Sequence, residues 1–219
     1  GSIVTAGFNS FVPKLTQTKA VIGGASISPL TGSGTLRGVV IGNPDGWSDA
    51  DLCSLGSIHV DVAPFSLLGD HIVVNEISID APEFTYETKF VASNVADLLK
   101  NIEQFTGATD TSNAAPADGK SIKFEVKKFR LHGGVVRLGI GAAAIKLPMP
   151  PIELNDLGTS EGGITPDQLA VAVMRSVTGG IVSATSQAAL QIGGTTGATA
   201  AEGIKKTGEA LKGLFNRNK

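Results

Sequence analysis

The sequence contains few of the residues on which catalytic and metal sites usually depend. It has one cysteine, Cys53, and three histidines among 219 residues. A single cysteine excludes an internal disulfide and a cysteine-rich zinc site, and its leucine neighbours predict a small buried side chain. His59, His71 and His132 lack metal-ligand spacing, and no P-loop, His-Glu-x-x-His or Gly-x-Ser-x-Gly motif occurs. We therefore predict no metal, no cofactor and no enzymatic activity.

Charged and aromatic residues are also scarce. Charged residues make up 17% of the chain, the net charge is −2, and aromatic residues make up 5%. The charge balance does not favour phosphate contacts, and isolated aromatic residues offer no surface on which bases could stack. We therefore predict that nucleic acid is not a partner. Because no run of 18 apolar residues occurs, we also predict no membrane-spanning helix within these residues.

Alternating apolar and polar residues indicate a β-rich chain. Strands are predicted over 19–28, 36–41, 57–62, 72–79, 83–88 and 121–131. Turn residues recur about every ten positions, which favours antiparallel neighbours over βαβ units. The alternation slips at Lys127-Lys128, which predicts a bulge there. Gly133-Gly134 predicts a hairpin turn that pairs residues 135–140 with the strand before it.

Two segments show helical features. An apolar stripe predicts a helix near 94–106 that covers the sheet, with Ser93 or Asn94 as its N-cap. The stripe is formed by Val95, Leu98, Leu99, Ile102 and Phe105. A second helix is predicted to begin at Thr165-Pro166, where Gln168 completes a capping box. We expect Gly179-Gly180 to interrupt this second helix.

These elements predict an α+β fold. We expect a curved, mostly antiparallel, groove-like β-sheet with a covering helix near 94–106 and C-terminal helices. The polar segment 107–120 is predicted to be a loop. We divide the chain into a β-rich groove domain, 1–160, and a helical segment, 161–219, that packs on the groove domain or extends from it.

Two groups of carboxylates are candidate sites. Asp45, Asp49 and Asp51 follow an Asn-Pro-Asp-Gly turn, but their spacing does not match an EF-hand loop. A polar connector between strands is the favoured interpretation, with a calcium site as the alternative. Glu83 and Glu87 lie roughly 13 Å apart along one strand face, too far for a glycosidase pair, and are predicted to face solvent.

Three segments together resemble the N-terminal unit of the bacterial AsmA-like family. They are ISPLTGSGTLRGVVIGNPDGW (27–47), SIHVDVAPFSLLGDHIVVNEISIDAPEFTYE (57–87) and SNVADLLKNIEQFTG (93–107). The resemblance rests on their order, from the Leu-x-x-Val-x-Ile-x-Asn-Pro-x-Gly turn at 36–46 to the short helix at the end. Residues 128–140 resemble the later strand pair of such units, and residues 148–170 resemble the tail of short members.

The resemblance implies a short, single-unit member of that family. Such proteins have a curved sheet with an apolar groove, an inner-membrane anchor and a periplasmic location, and they are linked to phospholipid movement and outer-membrane biogenesis. The opening Gly1-Ser2 resembles a cleavage scar. We therefore expect a periplasmic protein tethered to the inner membrane by an N-terminal segment that is not part of this sequence.

The first functional hypothesis is a lipid-binding or lipid-transfer module of the bacterial envelope. Its ligand would be a phospholipid or another acyl-chain molecule, held in a groove that is lined by one face of each strand. The alternative is that these residues form an ordinary core. The groove candidates are Ile58, Val60, Val62, Ile72, Val74, Phe84, Tyr86, Phe124, Val126 and Leu138.

The second hypothesis is a non-enzymatic structural or assembly protein of the envelope. Residues 203–219 carry five Lys or Arg and one Glu, which suits a membrane surface or a partner protein. A solvated tail is the alternative for this segment, and self-association through a sheet edge is a further route to assembly. The contact candidates are Ile204, Lys205, Lys206, Leu211, Lys212, Leu214, Phe215 and Arg217.

Overall fold

The computed structural model describes residues 2–106, 122–139, 144–160 and 162–193. It confirms the α+β class: a strongly curled, mixed half-barrel sheet with N-terminal, middle and long C-terminal helices. The helices are α1 (Ser2–Thr16), α2 (Asn94–Phe105) and α3 (Pro166–Gly193), and a 3₁₀ turn spans Pro64–Leu68. The strands are β1 (Ala20–Ile27), β2 (Ser33–Gly42), β3 (Asp51–Val62), β4 (His71–Asp80), β5 (Glu83–Tyr86), β6 (Thr88–Lys89), β7 (Ala92–Ser93), β8 (Lys123–His132), β9 (Val135–Leu138), β10 (Ile145–Pro148) and β11 (Ile152–Leu157).

Several strands are halves of longer lines. Strand β3 pairs with β4 and β5 in one continuous register, in which Ile58 faces Ile79 and Cys53 faces Phe84. Strands β8 and β9 also form one line, because they pair with β4 and β5 in a single register. Strands β10 and β11 form another, because they pair with β9 and β8 in a single register. The main sheet is therefore a succession of long lines: β1, β2, β3, β4–β5, β8–β9 and β10–β11. Strands β6 and β7 form a separate small hairpin.

The hairpin predicted at Gly133-Gly134 is wrong. Strand β9 continues the direction of β8 and pairs in parallel with β5, while its other neighbour is the antiparallel β10. Strands β4 and β8 are also parallel. The long connection that contains α2 makes these parallel pairs possible, because parallel neighbours need a crossover. The other pairs among the described strands are antiparallel, as expected.

A single row of residues crosses the whole sheet where the lines are interrupted. Extending the registers across the gaps aligns Gly23, Gly38, Gly56, Ala81, Gly133 and Pro150. We call this row the seam. Gly38, Ala81 and Gly133 have φ of 61°, 49° and 64°, a region that side chains other than glycine rarely adopt. A Cβ on Gly38 would make ordinary contact with the Gly23 backbone at 3.5 Å, and a Cβ on Gly56 would meet nothing within 4 Å, so backbone conformation rather than crowding sets the seam.

At the seam, the alternation of inward-facing and outward-facing side chains shifts by one residue. Val39 and Leu36 are three residues apart on β2, yet both pack in the same hydrophobic cluster. In a regular strand these two side chains would point to opposite faces. Gly38, which lies between them and has left-handed backbone, turns the following apolar side chains back to the interior. The resulting bend curls the sheet.

A second irregularity lies at Lys127-Lys128, where the alternation was predicted to slip. Val126 and Phe129 are 0% and 2% exposed, and the two lysines between them are exposed. The neighbouring β3–β4 pair shifts register between Asp61 and Val62. Residues 75–76 on β4 and 155–156 on β11 align with the lysines, so the irregularity spans several strands.

Helix α2 forms as predicted. The Ser93 hydroxyl accepts a hydrogen bond from the Ala96 N–H at 3.2 Å, which makes Ser93 the N-cap. The stripe is buried except for Phe105, whose ring packs edge-on against Phe11 of α1 at a centroid distance of 6.0 Å. Helix α1 was not predicted, since it contains Pro13 and depends on such tertiary contacts for stability.

Helix α3 begins with the predicted capping box. The Thr165 N–H donates to Gln168 Oε1 at 3.0 Å, and the Gln168 N–H donates to Thr165 Oγ1 at 3.4 Å. The predicted interruption at Gly179-Gly180 is wrong, because the helix continues to Gly193. A Cβ on Gly180 would lie 2.6 Å from Met149 Cε, so this glycine allows the helix to approach the sheet closely.

Helix α3 also differs from the expectation of no membrane-spanning helix. Over Pro166–Leu190 it is long and apolar enough to cross a bilayer, by length and composition only. Within an apolar stretch of 18 residues of this helix 39% is buried, and Val177, Ile181 and Thr185 are 3%, 0% and 0% exposed. A core helix of a soluble domain has the same features, so this finding does not assign a membrane span.

Two buried threonines on α3 provide a matched stability test. Thr178 Oγ1 is buried and finds no hydrogen-bond partner among the described residues, whereas Thr185 Oγ1 donates to the Ile181 carbonyl at 3.0 Å. We expect Thr178→Val to raise the free energy of unfolding by about 1 kcal/mol or more, because it removes an unsatisfied hydroxyl. Thr185→Val should give no such gain. Urea unfolding measures both, and equal shifts for the two variants would contradict the assignment.

Gly32 and Gly46 both have positive φ but differ in their surroundings. A Cβ on Gly32 would lie 1.7 Å from the Val62 carbonyl oxygen, whereas a Cβ on Gly46 meets nothing within 4 Å. We expect Gly46→Ala to cost about 1 kcal/mol from left-handed strain. Gly32→Ala should cost about 3 kcal/mol or prevent folding, since the backbone must also move. Thermal and urea unfolding measure the difference, and similar losses would argue against the close contact at Gly32.

Candidate functional site

The ten groove candidates divide into two groups by burial. Val74, Phe84, Tyr86 and Val126 are 4%, 3%, 1% and 0% exposed, and they share one hydrophobic cluster with side chains of α2 and α3. For these four, the alternative interpretation of an ordinary core holds. They are not open to a ligand in this structure, because the other side chains of that cluster surround them.

Five of the remaining candidates lie together, and we call them the strip: Ile58, Val60, Val62, Ile72 and Phe124. Each is half-buried. Ile72 pairs with Phe124 and Val62 pairs with the buried Val74, so they occupy the face of the sheet that carries the core. Leu138 is also half-buried but lies on the other side of the seam, beside Tyr86.

The strip is bordered by the segment that leads into α3. The Phe124 N–H donates to the Ile164 carbonyl at 2.7 Å, and the Ile164 N–H donates back to the Phe124 carbonyl at 2.8 Å. Leu36 and Ile77 are partly buried beside the strip and pack on the same core. The groove candidates predicted from the sequence do not include these two residues, although their apolar character was the available signal. The arrangement is an apolar surface, about 13 Å long from Ile58 to Val62 by strand rise, that its neighbours only partly cover.

The histidines lie in separate environments. His59 Nδ1 is 3.3 Å from Thr35 Oγ1, His71 Nε2 is 3.3 Å from Glu125 Oε2, and His132 Nε2 is 3.8 Å from Glu153 Oε1. Among the described residues no group of three potential metal ligands occurs. These histidines form local pairs on strands and supply no shared site.

Glu87 was predicted to face solvent, and that prediction is wrong. Its carboxylate is buried and accepts hydrogen bonds from Asn43 Nδ2 at 2.7 Å and from the Ser48 hydroxyl and N–H. Asn94, which is fully buried, donates to Asn43 Oδ1 at 2.8 Å and to the Thr85 carbonyl at 2.7 Å. A buried carboxylate is stable here because several donors replace its water.

This network fixes the acidic turn as a connector. Asp45, Asp49 and Asp51 are exposed. Trp47 Nε1 donates to Asp97 Oδ2 on α2 at 2.8 Å, and Lys89 Nζ lies 4.7 Å from the centre of the Trp47 ring. The polar residues that hold the turn are therefore Asn43, Trp47 and Ser48 rather than the aspartates. This geometry agrees with the favoured interpretation of the turn.

Cys53 is buried, as expected. Burial raises the pKa of the Cys53 thiol, which keeps it protonated and unreactive at neutral pH. The C-terminal contact candidates, Ile204 to Arg217, lie outside the described residues, as does the predicted loop at 107–120. Comparison of the chain with protein-family models, with curated proteins and with solved structures found no match.

The Glu87 network can be tested with a matched pair. Glu87→Gln keeps the size of the side chain but replaces one acceptor oxygen with an amide that cannot accept the hydrogen bonds made there. We expect a loss of about 1–3 kcal/mol in the free energy of unfolding. Asp49→Asn, on the exposed part of the same turn, should change stability by less than about 0.5 kcal/mol. Urea unfolding measures both, and a neutral Glu87→Gln would show that the network is not stabilising.

Proposed function

We propose that the protein is a non-enzymatic lipid-binding or lipid-transfer module of the bacterial envelope, acting in the periplasm and contributing to outer-membrane biogenesis. The observation that carries this proposal is the strip. It is a set of half-buried apolar residues that pack against the core on the inner face of the sheet and that their neighbours cover only in part. The resemblance of residues 27–107 to the AsmA-like family supports the same assignment.

The strip has the chemistry that an acyl chain requires. Its members carry no polar side-chain atoms, and the neighbouring Val126 and Val74 are buried. Each methylene that leaves water contributes about 0.8 kcal/mol. A surface of this length suits part of one acyl chain, with the headgroup left outside. A lone unit of this size would hold or hand over a lipid rather than bridge two membranes.

The second candidate function is assembly in the envelope. Edge strands present exposed apolar side chains, since Val21 on β1 is 57% exposed and Ile145 on β10 is 46% exposed. Such edges can pair with another chain. In this hypothesis the strip would be an incompletely covered core and not a ligand site.

The first experiment is native mass spectrometry of protein purified without detergent, followed by solvent extraction and lipid analysis. We expect bound phospholipid, and uptake of a fluorescent phospholipid from vesicles by delipidated protein. Val60→Glu places a charge on the strip and should weaken uptake at least about tenfold. His59→Glu, the adjacent residue on the outer face, should leave uptake unchanged.

Stability measurements separate a lost ligand surface from a lost fold. Both variants should keep a cooperative unfolding transition. A wild-type chain that carries no lipid and takes none from vesicles would overturn the proposal and favour assembly. Equal loss of uptake in the two folded variants would show that the strip is not where lipid binds.

A further inference from the structure

Two loops at one end of the sheet display large apolar side chains to solvent. Leu30, between β1 and β2, is 91% exposed, and Phe65 and Leu68, in the 3₁₀ turn between β3 and β4, are 88% and 87% exposed. We call these three residues the apolar tip. Leu67 in the same turn is 38% exposed and Ile122, just before β8, is 46% exposed.

The backbone holds the apolar tip in place. The Val62 N–H donates to the Gly32 carbonyl at 2.9 Å, and a Cβ on Gly32 would lie 3.3 Å from Pro64 Cδ, so the two loops are in contact. The Ser66 hydroxyl donates to the Ala63 carbonyl at 2.7 Å and accepts from the Val73 N–H at 3.0 Å. The exposure of these side chains is therefore set by a hydrogen-bonded turn that is tied to both neighbouring strands.

The two segments that carry the tip are uncharged, and Asp61, Asp70 and Lys123 border them at this end of the sheet. No charged residue occurs from position 20 to position 36 or from position 62 to position 69. Side chains that are about 90% exposed protrude singly from the surface. A protein partner would need a matching pocket for each of them, whereas the acyl region of a bilayer accepts protruding Phe and Leu side chains without a matching shape. The tip also adjoins the strip, since only Ala63 separates Val62 from the 3₁₀ turn.

We propose that the apolar tip docks the protein on a phospholipid bilayer by inserting Phe65, Leu68 and Leu30 into the surface of the membrane. The inference rests on the proposed function for its purpose, because docking at this end would bring the strip to the source of its acyl chain. The docking itself depends only on the tip. Because the insertion is apolar, binding should need neither anionic lipid nor low salt.

The experiment is flotation of the full chain with phosphatidylcholine vesicles, with and without added phosphatidylglycerol, at low and high salt. We expect the wild-type chain to bind both kinds of vesicle with little dependence on salt. The double variant Phe65→Ser/Leu68→Ser should reduce binding about tenfold or more, since two apolar side chains no longer enter the bilayer. Its stability should be unchanged, because both residues are exposed.

The control variant is Phe90→Ser. Phe90 is 94% exposed but follows β5, at the opposite end of the β4–β5 line, so its loss should leave vesicle binding unchanged. Equal losses for Phe90→Ser and for the tip variant would overturn the proposal. Binding that needs phosphatidylglycerol, disappears in high salt and survives in the tip variant would also overturn it and would point to the basic residues of 203–219. Self-association through the tip without vesicle binding would identify a protein interface instead.

Different results would contradict lipid binding by the strip and membrane docking by the apolar tip. If the tip docks the membrane but the strip holds no lipid, the wild-type chain will float with vesicles yet extract no phospholipid. If the strip holds lipid but the tip is not a docking site, the tip variant will exchange phospholipid with vesicles as fast as the wild-type chain. Val60→Glu, which alters the strip alone, should retain wild-type flotation.

Discussion

The seam is the constraint on which the rest of the architecture depends. Each long line of the sheet carries residues that must face the interior on both sides of the bend, and strict alternation would send half of them to solvent. Glycine or left-handed backbone at one level of neighbouring strands corrects the parity and bends the sheet around its helices. Gly38, Ala81 and Gly133 all have left-handed backbone at this level, so the correction is shared between neighbouring strands.

The bend also divides the inner face into two regions with different properties. On one side Phe84 and Tyr86 are buried and Leu138 is half-buried. There the Glu87 carboxylate accepts a hydrogen bond from Asn43 in the connector after β2, and the Glu87 N–H donates to Asn94 Oδ1 at the start of α2. On the other side Val74 and Val126 are buried, and the core extends outward from them through the strip, which its neighbours cover only in part. Both regions are apolar and both contain buried residues, and the strip is the half-buried part of the second region.

In the proposed function, a lipid would meet these parts of the protein in a fixed order. A closed region supports the fold, a half-open region offers an apolar surface, and the uncharged tip lies at the end of that surface. A lipid-binding unit would need these three features in this order, because the ligand must leave a membrane before it reaches the strip. Assembly through the edge strands uses other surfaces, and the two functions are therefore separable by substitution.

Local sequence patterns determined most elements, including the strands, the stripe and N-cap of α2 and the capping box at Thr165. The tertiary structure alone decided which apolar residues are covered. Phe124 and Val126 have the same pattern in sequence, yet one is half-buried and the other is 0% exposed. The burial of Glu87, the continuity of α3 through Gly180 and the parallel pairing of β9 with β5 have the same origin. Periodicity reports which side of an element is apolar, but the residues that pack against that side come from distant parts of the chain.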